Sequence, residues 1–114
     1  MSRHDADRLD DVLEAARAIR AHAARGSLSD GLVFDAVRIR LVEIGEAIKA
    51  LPQPLLDSEP QIDWRAIARF RDQLTHHYWD TAHGVVQHVV DSQLEELAEA
   101  AERLRERIDE DKEI

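Results

Sequence analysis

The chain contains no cysteine, which excludes disulfide staples, thiolate metal centres and cysteine nucleophiles. Glycine and proline are few, with 4 and 3 residues, and aromatics make up only 4%. Such a composition favours helices over strands. The glycines at 26, 31, 45 and 84 are too scattered to build a P-loop or a dinucleotide-binding glycine pattern. Long apolar runs are also missing: apolar residues come in clusters of four or fewer, well short of a bilayer-spanning stretch. No membrane segment is expected. The first seven residues turn acidic at once and lack the apolar core of a secretory signal, so a cytoplasmic protein is expected. With 114 residues the chain suits one domain over 1–114, fraying from about 109.

Charge is abundant. Charged residues reach 34%, and the formal net charge of -9 argues against nucleic-acid binding, which usually goes with a basic surface. The charges are unevenly spread, however. From Asp91 onward ten acidic residues face four basic ones, whereas residues 64–78 hold Arg65, Arg69 and Arg71, one aspartate and two histidines. A local basic patch therefore survives in an acidic chain.

Apolar periodicity sets out four helices. In residues 5–25, Leu9, Val12, Ala16, Ile19 and Ala23 recur at steps of three and four, and Gly26 stands where a C-cap glycine is expected. Ser29 or Asp30 then offers an N-cap for a second helix with Phe34, Val37, Leu41, Ile44, Ile48 and Leu51 on one stripe. That helix must end before Pro52 and Pro54, and residues 52–61 read as a loop. Asp63 caps a third helix over 64–78, buried through Trp64, Ile67, Phe70 and Leu74. After a break at 79–84, Val86, Val90, Leu94, Leu97, Ala101, Leu104 and Ile108 form a heptad-like seam on the last helix. The expected fold class is all-α, an antiparallel up-down four-helix bundle. Because the faces of helices two and four look broader than such a bundle needs, a homodimer is expected to absorb the surplus.

The side chains capable of chemistry are quickly narrowed. Histidines occur at 4, 22, 76, 77, 83 and 88, with no two spaced three or four apart, so the helical pair typical of zinc or di-iron sites is missing. No metal and no cofactor are expected. None of Ser27, Ser29, Ser58 and Ser92 lies in the strand-turn-helix setting of a hydrolase nucleophile. One segment stands out, Arg71-Asp72-Gln73-Leu74-Thr75-His76-His77-Tyr78. Arginine offers a permanently charged fork for phosphate, histidine moves protons near neutral pH, and tyrosine can stack on a base. Residue types alone leave a plainer reading open, in which Arg71 pairs with a bundle carboxylate and the two histidines merely close a helix.

Three ordered blocks carry a resemblance. Arg71-x4-His76-x-Tyr78 resembles the R-x4-6-H motif of HEPN domains, in the H-x-Y form typical of HepT-like toxins, with Asp72 as the usual polar residue after the arginine. Ile44-Gly45-Glu46-Ala47 resembles the family's IGEA helix, and Ile62-Asp63-Trp64-Arg65-x-Ile67 its tryptophan entry to the motif helix. The similarity covers roughly residues 32–97. The chain departs from the family after Tyr78, where Trp79-Asp80-Thr81-Ala82-His83 replaces a small glycine-containing turn, and His77 supplies a second candidate histidine.

This resemblance implies the toxin of a type VII-like HEPN/MNT toxin-antitoxin system, an endoribonuclease that needs no metal. Its substrate would be single-stranded or loop RNA, transfer RNA among the candidates. A 2'-hydroxyl would attack the adjacent phosphate while His76 moves protons and Arg71 stabilises the phosphorane, with Asp72 and His77 as auxiliary candidates. Tyr78 would position RNA and accept adenylyl groups from a cognate minimal nucleotidyltransferase antitoxin. A catalytically weak HEPN module that binds a nucleotide or a partner is the alternative. Geometry adds a constraint: at about 100° per residue Arg71 and Tyr78 share a face, but His76 points about 140° away from Arg71. Either the helix unwinds near Thr75 or the groups of two chains meet across a dimer axis, and the composite site is the favoured expectation.

Overall fold

A computed structural model of the chain describes residues 3–76 and 79–113, with the side chains of 3, 76, 79–81, 112 and 113 left outside the description. Among these residues every regular element is helical: α1 Arg3–Ala23, α2 Gly31–Lys49, α3 Gln53–Asp57, α4 Trp64–Ala68, α5 Phe70–His76, α6 Trp79–Ser92 and α7 Leu94–Glu113. The all-α expectation holds, and the four expected rods correspond to α1, α2, α4 with α5, and α6 with α7.

Two expected caps are in place. Asp30 is extended and its carboxylate accepts from Leu32 N at 2.9 Å, while Asp63 Oδ1 accepts from Ala66 N at 3.1 Å. Each satisfies a donor that the first turn of a helix leaves without a partner, typically worth about 1 kcal/mol. Trp64 is buried beside the second cap, and its indole N–H donates to the Glu59 carbonyl at 3.0 Å.

Several boundaries differ from the sequence reading. The loop at 52–61 holds the short helix α3, because Pro52 occupies the N-cap and Pro54 the first turn, where a missing N–H costs nothing. The motif helix is interrupted at Arg69, which divides α4 from α5. The break expected at 79–84 is instead helix, since Ala82, Val86 and Val89 form a buried stripe that outweighs the cost of Gly84. A single residue, Gln93, separates α6 from α7, and helical hydrogen bonds bridge it: Gln93 N to Val89 O and Leu97 N to Gln93 O. Gly26 is no left-handed cap, because α1 ends at Ala23 and no described glycine has positive φ.

α2 lies at the centre, packed against α1, α4, α5 and α6, with α7 on the far side of α1. One hydrophobic core draws on all seven helices. The heptad-like seam is largely consumed inside the chain: Leu94, Leu97, Ala101, Leu104 and Ile108 are all buried. On α7 there is consequently no surplus face. The large exposed apolar side chains lie on α2 alone, Leu32 at 83% and Ile39 at 47%.

Candidate functional site

The motif helix is held against α2 by a close backbone approach. A Cβ placed on Gly45 would stand 3.0 Å from Ile67 O, 3.2 Å from Arg71 N and 3.2 Å from Phe70 Cβ. Glycine is needed there because the α4–α5 junction occupies the space that a side chain would fill. Phe70 and Leu74 anchor α5 in the core, leaving Arg71, Asp72 and Thr75 exposed.

The next residue on α2 meets the motif arginine. Arg71 Nε lies 2.6 Å from Glu46 Oε1, and both side chains are about half exposed. The plainer sequence reading, an arginine paired with a bundle carboxylate, is thus realised in the geometry. The pairing does not use up the guanidinium, whose five N–H donors leave the two Nη groups for another acceptor. Asp72 makes no ion pair among the described residues.

Helical backbone continues through Thr75 and His76, and Thr75 Oγ1 donates to the Arg71 carbonyl. Unwinding near Thr75 is therefore not what happens. Positions 71 and 76 stand about 140° apart around α5, as a regular helix requires. His77 and Tyr78 lie outside the described residues, so the structure brings Arg71 together with Glu46 but not with the other expected site residues. From α2, Arg38 Nη1 also donates to the Leu74 carbonyl at 3.0 Å. Neither Glu46 nor Arg38 was assigned a role from sequence. Glu46 sat within a recognised block, whereas Arg38 had no signal at all.

Around this segment the electrostatics are divided. Arg65 and Arg69 on α4 are exposed and form no ion pair among the described residues. On α7, by contrast, Arg103 reaches Glu59 at 2.6 Å and Arg105 reaches Asp10 at 2.9 Å. The Arg103 hydrogen bond holds the Glu59 carboxyl below its ordinary value against the opposing effect of burial, with a smaller contribution from Gln61. His83 is structural: its ring stacks on Phe34 with centroids 5.4 Å apart, and Nε2 lies 3.2 Å from Leu28 O. Among the described residues no three His, Asp or Glu side chains group so as to hold a metal ion, and no helix is long and apolar enough to cross a membrane.

Known proteins similar to this chain agree in kind. A protein of Thermococcus cleftensis named "Probable ribonuclease HepT" is 33% identical over 109 residues, covering 92% of this chain and 99% of the relative. A protein of Methanocaldococcus jannaschii carrying the name "Putative RNase" is 38% identical over 63 residues, 55% of this chain, and the match spans about half of that relative, 52%. Another so named, from Caldanaerobacter subterraneus subsp. tengcongensis, is 29% identical over 75 residues, covering 65% of this chain and 64% of the relative. No solved structure gives a significant match. The family model for "Ribonuclease HepT-like" proteins matches residues 9–104, most of the chain and all of the segment built here around Arg71, and the chain belongs to the HepT-like ribonuclease family.

Proposed function

We propose that this chain, acting as one domain in a homodimer, is a metal-independent endoribonuclease whose site combines Arg71 and His76 from two copies. The observation that carries the reading is Arg71 itself. Its Nε is engaged by Glu46 at 2.6 Å, which orients a half-exposed guanidinium whose Nη groups can clamp a phosphate. Because positions 71 and 76 diverge on one regular helix, a second chain must bring its own histidine to the same phosphate. The RNA 2'-hydroxyl then attacks the adjacent phosphorus and expels the 5'-oxygen, leaving a 2',3'-cyclic phosphate. His76 moves the protons, Arg71 balances the charge gathering on the phosphorane, and His77 and Asp72 are auxiliary candidates.

The wider reading places the protein in the cytoplasm as the toxin of a HEPN/MNT toxin-antitoxin pair, silenced when a cognate nucleotidyltransferase adenylylates Tyr78. Support for it is the H-x-Y form of the motif and membership of the HepT-like family. A second reading, a weakly catalytic module that binds a nucleotide or a partner, draws on the same Arg71–Glu46 pair, since an arginine already held by a carboxylate serves a structural role too.

RNA cleavage in the presence of chelator separates the two. The unmodified protein should cleave. Arg71→Ala removes a charged donor at the phosphorane, worth about 2.7–4 kcal/mol when preorganised, and His76→Ala removes proton transfer, typically about 10²- to 10⁴-fold. Loss with His77→Ala in place of His76→Ala moves the proton-transfer role by one residue. Unaffected cleavage in all three variants, or none by the parent, leaves the binding module.

A further inference from the structure

Arg38 spans 36 positions of sequence to donate from Nη1 to the Leu74 carbonyl. Its other charged neighbour, Asp35, is one turn back at 3.9 Å and largely exposed, so that ion pair holds it weakly. The carbonyl is the firmer partner, because a charged donor at 3.0 Å makes a strong hydrogen bond. Leu74 is buried, lies in the last turn of α5 and precedes His76 by two residues. Carbonyls in a last turn have no partner inside their own helix, so a donor from elsewhere sets how the chain continues.

The two α2 contacts bracket the motif. Glu46 meets Arg71 near the start of α5, and Arg38 meets the backbone three residues later. Arg38 and Gly45 are seven residues apart on α2, hence within about 20° of one face, so the rail that accepts the α4–α5 junction also reaches the end of α5.

From this geometry we infer that Arg38 is a positioning residue: by holding the Leu74 carbonyl it fixes the path on which the chain leaves α5 toward His76 and Tyr78. The inference rests on the ribonuclease reading above for its catalytic consequence. It does not make Arg38 a phosphate ligand, which would act on substrate affinity instead.

The test uses the full chain. Arg38→Ala should lower kcat for RNA cleavage about 10- to 100-fold, the scale of a small misplacement at a reacting centre, with KM within about threefold. Arg38→Lys keeps a donor for one carbonyl and should restore most of the rate. Hydrogen exchange read by mass spectrometry should quicken in peptides covering residues 72–80 of Arg38→Ala and stay unchanged in α1 and α7. A parent-like kcat, a loss carried by KM, a lysine variant as impaired as alanine, or unchanged exchange in that segment each overturns the assignment. If the parent protein cleaves no RNA, the ribonuclease reading falls by itself, and the exchange comparison alone decides whether Arg38 anchors the end of α5.

Discussion

Gly45→Ala sets two physical effects of opposite sign against each other. In a helix interior alanine is favoured over glycine by about 0.8–1 kcal/mol, so propensity alone would stabilise α2. The added methyl would however meet Ile67 O at 3.0 Å, Arg71 N at 3.2 Å and Phe70 Cβ at 3.2 Å. Overpacking of this kind costs about 1–3 kcal/mol. Two of the three atoms are backbone and cannot rotate aside, so the upper part of that range applies and α4 with α5 must shift outward. The expected net loss is about 1–2 kcal/mol, which for a domain of this size lowers the melting temperature by roughly 4–10 °C. Gly84→Ala provides the contrast, since an added Cβ there meets nothing within 4 Å in the middle of α6. Propensity acts alone and should raise stability by about 0.5–1 kcal/mol. Thermal unfolding followed by circular dichroism reads both. A Gly45→Ala protein at least as stable as the parent, or a destabilised Gly84→Ala, would refute the close-approach reasoning. Because the shift displaces Arg71, RNA cleavage by Gly45→Ala should also fall by more than its folded fraction explains.

Glu46→Ala should leave the melting temperature nearly unchanged, since a half-exposed pair contributes about 0–1 kcal/mol, yet reduce kcat/KM for RNA about tenfold or more by freeing Arg71; equal and parent-like rates would show that the carboxylate does not orient the guanidinium. Glu59 has its folded-state pKa held below the ordinary 4.5, so its contribution to stability is fully present above that value and is lost as pH falls through the folded pKa. Melting temperatures of Glu59→Gln and the parent should therefore differ at neutral pH and converge in acid, and a difference that stays constant with pH would contradict the assignment. Tyr78→Phe should abolish the added adenylyl mass on co-expression with the cognate nucleotidyltransferase, measured by intact-mass spectrometry; an equally modified variant moves the acceptor elsewhere. Leu32→Asp combined with Ile39→Asp should convert the expected dimer to monomer in light scattering, because these are the large exposed apolar side chains, and a surviving dimer would place the interface on another face.

What could be read from sequence was local. Asp30 and Asp63 cap helices because a short carboxylate beside an apolar stripe has few other uses, and the stripes themselves name the core residues Leu9, Val37, Leu41 and Leu104. The misread boundaries share a cause, namely that tertiary packing overruled a local cue. Trp79 to Gly84 looked like a turn by residue type, but burial of Ala82 in step with Val86 and Val89 draws the stretch into α6. The interruption at Arg69 carries no proline or glycine to announce it, and it falls between Ile67 and Phe70, the two residues pressed against Gly45. The site was legible only in part for the same reason. Arg71 could be singled out by type and spacing, whereas Glu46 and Arg38 reach it from 25 and 36 positions away and become visible only once α2 and α5 are packed.

Net charge was the strongest sequence-level objection to an RNA substrate, and pairing changes its meaning. A phosphate backbone responds to the field within roughly 8 Å of it at physiological salt, not to the sum over the chain. On α7, Arg103 and Arg105 are tied to Glu59, Asp10 and Asp109, so the cations of the acidic helix are already committed within the fold. On α4 the opposite holds: Arg65 and Arg69 are exposed without an ion pair among the described residues, and Arg71 on α5 shares one carboxylate while keeping both Nη groups. The cations available to an outside anion are therefore concentrated beside the motif, while the net charge of -9 is set largely by carboxylates elsewhere along α1 and α7. An acidic chain can present a phosphate-binding face when its surplus carboxylates and its unpaired arginines occupy different helices, which is how this sequence is arranged.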